Sequence, residues 1–177
     1  MSLALDLLDQ AEHLAKREPK KPRQASLRRA ISAAYYALFH LLIEDAAAFC
    51  VGKGKDRQTL RFVLQRAFGH QEMKAVAKAF AAHKVSEKVA PALPHDAQGN
   101  ALVSADLQRV AEAFVHLQQA RHEADYNLLR SFGREEAKDV VQQARDAFVA
   151  WSRVKASQEA RVFMVALLAQ RLMKGDP

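Results

Sequence analysis

Apolar residues recur at three- and four-residue spacing along most of the chain, and the clearest run is Ser26 to Phe49. There Ile31, Tyr35, Leu38 and Leu42 share one face, and no Gly or Pro interrupts them. The spacing predicts one long helix with a core-facing stripe. Beside the stripe runs a polar ladder at four-residue spacing, Arg28, Ser32, Tyr36, His40 and Glu44, whose side chains stand one turn apart and within reach of each other. Such a ladder either lines a cleft or subunit interface, or belongs to a bundle helix whose Tyr and His tips find hydrogen-bond partners.

The same reading predicts six further helices. The first, about Leu3 to Arg17, has Leu3, Leu7, Leu8, Ala11 and Leu14 on one side and should pack on the long helix. Two prolines and a block of cations in Lys16–Arg23 mark an exposed connector. After the Val51–Lys55 turn, Asp56 is placed to cap a helix whose stripe is Leu60, Val63, Leu64, Ala67 and Phe68. A helix from Glu72 to about Ala82 turns Met73, Val76, Ala77 and Phe80 inward, and Lys84–Asn100, with Pro91, Pro94 and Gly99, reads as a surface loop. Ser104 caps a helix carrying Leu107, Val110, Phe114 and Leu117 and reaching about Leu129. Glu135 and Glu136 open the next, with Val140, Ala144, Ala147, Phe148 and Trp151 buried. The last, Gln158 to Met173, has apolar residues over more than one stripe, including Val162, Phe163, Val165, Ala166, Leu168, Ala169 and Leu172. A helix of that breadth lies deep in a bundle or meets another subunit.

Composition supports this picture: 177 residues, half of them hydrophobic, with six Gly and five Pro, predict one all-α domain spanning residues 1–177. The single Cys50 excludes an internal disulfide and a multi-cysteine metal site. The seven His form no ligand pattern with carboxylates, so neither a metal nor a cofactor is expected. The +7 net charge favours approach to a polyanion, with cations clustered in Lys16–Arg29 and Lys53–Arg66 as a basic rim. The start lacks the pattern of a secretory signal, and the run Ala30–Ile43 is shorter than the roughly 20 residues of a membrane crossing. A cytoplasmic protein with no membrane partner is expected.

Arg121 is the most informative charge. It continues the apolar series Leu107, Val110, Phe114, Leu117, which resumes at Ala124 and Leu128, so it faces inward and needs a partner. Asp125 one turn later, with the Tyr126 hydroxyl nearby, satisfies it, either as a structural ion pair or as part of a functional cleft.

Three stretches carry a resemblance. Ser32-Ala33-Ala34-Tyr35-Tyr36-Ala37-Leu38-Phe39-His40, then Arg121-His122-Glu123-Ala124-Asp125-Tyr126, then Glu135-Glu136-Ala137 with Ala144-Arg145-Asp146-Ala147-Phe148, resemble the HEPN superfamily of small helical domains in prokaryotic defence and toxin–antitoxin systems. The first is like the family's Ser-x-x-Tyr-Tyr-Ala-x-Phe-His helix, and the second like the Arg-x-x-Ala-Asp-Tyr sequence of one standalone branch. The resemblance implies an up-and-down bundle of four to five core helices, about residues 3–156, with a C-terminal helical extension over 157–173. It also implies a homodimer, an RNA or nucleotide ligand and a nucleotidyltransferase-type partner protein.

Many family members are metal-independent endoribonucleases that set an Arg and a His a few residues apart at the dimer interface. Arg109 and His116 fit that spacing, but they belong to a polar helix side with Glu112, Gln119 and Glu123, and Val110 stands where active members carry a polar residue. The resemblance therefore implies a binding or regulatory role in which Arg28, Ser32, Tyr36, His40, Arg121, Asp125 and Tyr126 form the binding cleft. The alternatives are an endoribonuclease using Arg121 and His40, with Arg109 and His116 as a weaker pair, and a protein-interaction scaffold.

Overall fold

The computed structural model describes residues 2–18 and 20–174, with side chains as far as residue 170. Among these, seven α-helices account for nearly all regular structure: α1 Leu3–Lys16, α2 Gln24–Val51, α3 Gln58–Gln65, α4 His70–Ala81, α5 Ala105–Tyr126, α6 Arg134–Val154 and α7 Gln158–Lys174. Single 3-10 turns at Lys55–Arg57 and Ala90–Ala92 and one antiparallel bridge between His95 and Ala101 interrupt the loops. The class is all-α, as the periodicity predicts.

The helices build two compact units. The first comprises the residues up to Leu41 with Ala113–Val149, and the second Leu42–Glu112 with the residues from Ala150 on. The chain of α2, α5 and α6 contributes to both. In the first unit Ile31, Tyr35 and Leu38 of α2 are fully buried with Phe114 and Leu117 of α5 and Ala137, Ala144 and Ala147 of α6. The Tyr35 and Phe114 rings meet at 5.7 Å between centroids, inclined by 56°. α1 adds Ala4, Leu8, Ala11 and Ala15, while Leu3 stays half exposed. Small residues on this face let α1 approach closely, which a count of leucines alone does not show.

The connector between α1 and α2 is pinned by Glu18. Its backbone takes a left-handed φ of 51°, and its carboxylate accepts from the Arg23 amide and from the Ser26 hydroxyl at 3.1 Å. Desolvation pushes this carboxyl up, but those hydrogen bonds and the charges of Arg17 and Arg23 outweigh it and hold the group below its ordinary range. The Arg134 guanidinium donates to the Glu18 carbonyl.

In the second unit α4 packs on α7, with the Phe80 and Phe163 rings edge to face at 4.9 Å. Trp151 is buried here, and its indole N–H donates to Asp45 Oδ2 at 2.7 Å, so the polar tip of the largest core side chain is satisfied. Ser104 caps α5 as expected, accepting from the Leu107 amide, and its own amide donates to Glu159 Oε2 at 2.7 Å. α2 ends at Gly52, whose φ of 89° suits the left-handed residue that closes a helix.

Several expectations are corrected. Asp56 does not cap α3: it lies in the 3-10 turn before it, and no side-chain cap is made. Of the α3 stripe, Leu60, Val63 and Ala67 are exposed, Leu64 is half-buried and Phe68, beyond the end of the helix, is buried. α3 is a two-turn helix whose less exposed side is Arg61, Leu64 and Gln65, so only part of the predicted stripe is covered. α5 stops at Tyr126, not Leu129, and Leu128 and Leu129 are 85% and 98% exposed. In α7 Ala160, Phe163, Met164, Ala166 and Leu167 are buried, while Leu172 lies outside the described side chains. Finally, α2 is a 28-residue helix, long and apolar enough by length and composition to cross a membrane. Half of its most apolar window is buried inside the protein, a pattern compatible with the core helix of a soluble chain.

Candidate functional site

The polar ladder of α2 and the inward Arg of α5 meet in the first unit. Arg121 donates from Nη2 to the Tyr36 hydroxyl at 2.7 Å, and its Nε lies 2.8 Å from Asp125 Oδ2. The Nε–H is not aligned to donate, so that contact is Coulombic. Asp125 Oδ1 accepts from the Ser32 hydroxyl. The guanidinium carbon sits 5.3 Å from the ring centroids of both Tyr36 and Tyr126. Burial works against the Arg121 charge, but Tyr36, Asp125 and Tyr126 outweigh it and raise the group further above its ordinary value. Arg121, Tyr36, Ser32, Asp125 and Tyr126 are thus brought together as the sequence suggests, with the cation held by Tyr36 and Asp125. Beneath them burial pushes the Tyr35 phenol well above its ordinary range, so it stays neutral.

Arg28 does something different. Its guanidinium donates to the carbonyls of Ala124 at 2.7 Å, Asn127 at 3.0 Å and Arg130, and lies 5.2 Å from the Phe132 ring centroid. The Ala124 carbonyl belongs to the last turn of α5 and those of Asn127 and Arg130 to the turn that follows it, where a cation also suits the helix dipole. The Gln24 side chain exchanges two 2.9 Å hydrogen bonds with the Phe132 backbone and holds the same turn. Arg28 is a helix cap here, and its donors face the backbone.

His40 is half-buried, its ring edge-on to Phe39 at 5.6 Å, and no hydrogen bond joins it to Arg121 among the described residues. Burial lowers its basicity. Of the weaker pair, Arg109 is bound to Asp106 at 3.1 Å and His116 Nδ1 to Gln143 Oε1.

A cleft of ≈ 510 Å³ opens between α1 and α2 in the same unit, lined by Arg17, Ser26, Arg29, Ser32 and Tyr36 among others. Ser32 and Tyr36 come from the predicted ladder, but the cations are Arg17 and Arg29. Arg29 is exposed and, among the described residues, no carboxylate pairs with it. Arg17 is 3.6 Å from Glu18. Both belong to the Lys16–Arg29 basic cluster, and the spacing Arg29, Ser32, Tyr36 was the signal that would have placed them on the ladder's flank.

The second basic cluster is partly spent on structure. Arg57 donates to the Val51 carbonyl at 2.9 Å, and Arg61 to the Gly52 and Gly54 carbonyls at 2.7 and 2.9 Å, closing the end of α2. Among the described residues no group of His, Cys, Asp and Glu is arranged to hold a metal ion. The chain matches no model of a protein family, no curated protein and no solved structure.

Proposed function

We propose that the α1–α2 cleft binds a phosphate-bearing anion, RNA or a nucleotide, without cutting it, and that the chain is a HEPN-like bundle serving as a binding or regulatory component of a prokaryotic toxin–antitoxin or defence system. The observation that carries this reading is Arg29, an exposed guanidinium with no carboxylate partner among the described residues, set in a cleft with Arg17. Guanidinium groups match phosphate oxygens, and the +7 charge of the chain steers polyanions toward it. The absence of cleavage is supported by the state of the cations: Arg121 is held by Tyr36 and Asp125, and Arg109 and His116 are each tied to a neighbour. A homodimer and a nucleotidyltransferase-type partner accompany the reading through the family resemblance.

The test is binding of labelled structured and single-stranded RNA in EDTA, with product analysis on a gel. Salt-sensitive binding without cleavage, weakened several-fold by Arg29→Ala and further by Arg29→Glu, is the expected result. Unchanged affinity in Arg29→Glu removes the cleft from the account, and no binding at all leaves a protein-interaction scaffold. Cleavage abolished in folded Arg121→Ala and His40→Ala variants establishes the endoribonuclease, with Arg121 stabilising the phosphorane and His40 moving protons.

A further inference from the structure

α7 is apolar on two sides, and only one of them is spent on the core. Ala160, Phe163, Met164 and Leu167 form the buried side. Across the helix, Val162, Val165 and Ala169 form a second stripe, which a helix facing plain solvent fills with polar residues, and the buried Ala166 lies between the two sides. This stripe is one wall of a groove of ≈ 310 Å³ whose other lining includes Phe49, Val89 and Ala92, all within the second unit. Its lips are exposed apolar side chains, Phe49 at 44% and Val165 at 47%. Two cations, Lys88 and Arg161, also line it, and among the described residues no carboxylate does.

We infer that this groove docks an acidic amphipathic helix of a partner protein, its leucine-like anchors seated along Val162, Val165 and Ala169 and its flanking carboxylates meeting Arg161. Apolar walls with cations at the edge select an apolar ligand that carries negative charge. A single acyl chain leaves the Phe49 and Val165 lips wet, whereas a helix, about 10 Å across, covers both. A second copy of α7 lacks the complementary charge: its one acidic residue, Glu159, accepts from the Ser104 amide within its own chain. The chain as a whole carries +7, so a second copy is a poor source of that negative charge and the partner is a different chain, with the groove acting independently of the α1–α2 cleft.

The experiment uses the full chain and a fluorescein-labelled peptide of Leu and Glu, with leucines at i, i+3, i+4 and i+7, read by anisotropy. Three comparison ligands accompany it: the same composition with leucines scattered around the helix, the same leucine pattern with Lys in place of Glu, and dodecanoate. Saturable binding of the patterned acidic peptide is expected, weakened at least about tenfold by Val165→Asp and by Arg161→Glu. The Lys peptide should bind the wild type poorly and gain on Arg161→Glu. Arg29→Glu, in the other unit, should leave the affinity within about twofold, which separates this groove from the anion cleft. Equal binding of the scattered peptide, no binding of the patterned one, or insensitivity to Val165→Asp overturns the inference. So does dodecanoate binding that displaces the peptide, or a dimer of the free protein that Val165→Asp dissociates.

Discussion

The Arg121 guanidinium donates to the Tyr36 hydroxyl at 2.7 Å while resting 5.3 Å from the centre of the same ring, so one tyrosine engages the cation through both its oxygen and its π face. With Asp125 on the other side, the arginine is a keystone between α2 and α5 within the first unit. Arg121→Ala leaves a mostly buried carboxylate facing only Ser32, and should lower stability by about 2–3 kcal/mol. Arg121→Lys keeps the charge but not the planar fork, and should cost about 1 kcal/mol. Urea denaturation of the three proteins checks the order; equal stability of wild type and Arg121→Ala refutes the keystone role.

Core and surface apolar residues separate sharply. Leu38 and Phe114 are fully buried, so Leu38→Ala should cost about 2–5 kcal/mol and Phe114→Ala about 3–5, through lost transfer free energy and the cavity left behind. Val63, at 65% exposure, should tolerate Val63→Ser within about 0.5 kcal/mol. A large loss at Val63 would show that the α3 face is covered.

Arg28 ties the end of α5 to the turn after it through the carbonyls of Ala124, Asn127 and Arg130. Arg28→Met keeps the aliphatic stem and removes the donors, so it should cost about 1–3 kcal/mol and speed hydrogen exchange in the turn that follows Tyr126. If Arg28 instead serves ligand binding, Arg28→Met will weaken RNA affinity and leave that exchange unchanged.

Two groups on α2 titrate with opposite signs. Half-burial holds His40 below the ordinary imidazole value, so near and below pH 6.5 the unfolded chain takes up the proton first. Its contribution to stability is intact above that value, falls as the pH drops, and levels off below the folded-state value. Burial and the neighbouring Asp45 hold Glu44 above the ordinary carboxyl value, so the folded chain keeps that proton longer and stability declines as the pH rises through its window. Denaturation midpoints from pH 4 to 8 should show a shallower acid-side fall in His40→Gln and a gain near neutral pH in Glu44→Gln.

The helices themselves are legible in the sequence because their determinants are local. Ile31, Tyr35, Leu38 and Leu42 stand on one face by spacing alone, Ser104 announces its cap, and Arg121 in an apolar series announces a partner one turn on. Where an element meets nothing, periodicity misleads: Leu60 and Val63 obey the helical pattern yet face water, because a stripe records which residues can be buried and not what arrives to bury them. The length of α5 shows the same limit. Leu128 continues its stripe, but the chain turns after Tyr126 where Arg28, from α2, takes up the carbonyls that a further turn would have used. Arg28 and Arg29 are neighbours of identical chemistry in the sequence, and only the tertiary structure separates them. The hundred degrees between them on the helix turn one guanidinium onto the end of α5 and leave the other in the cleft.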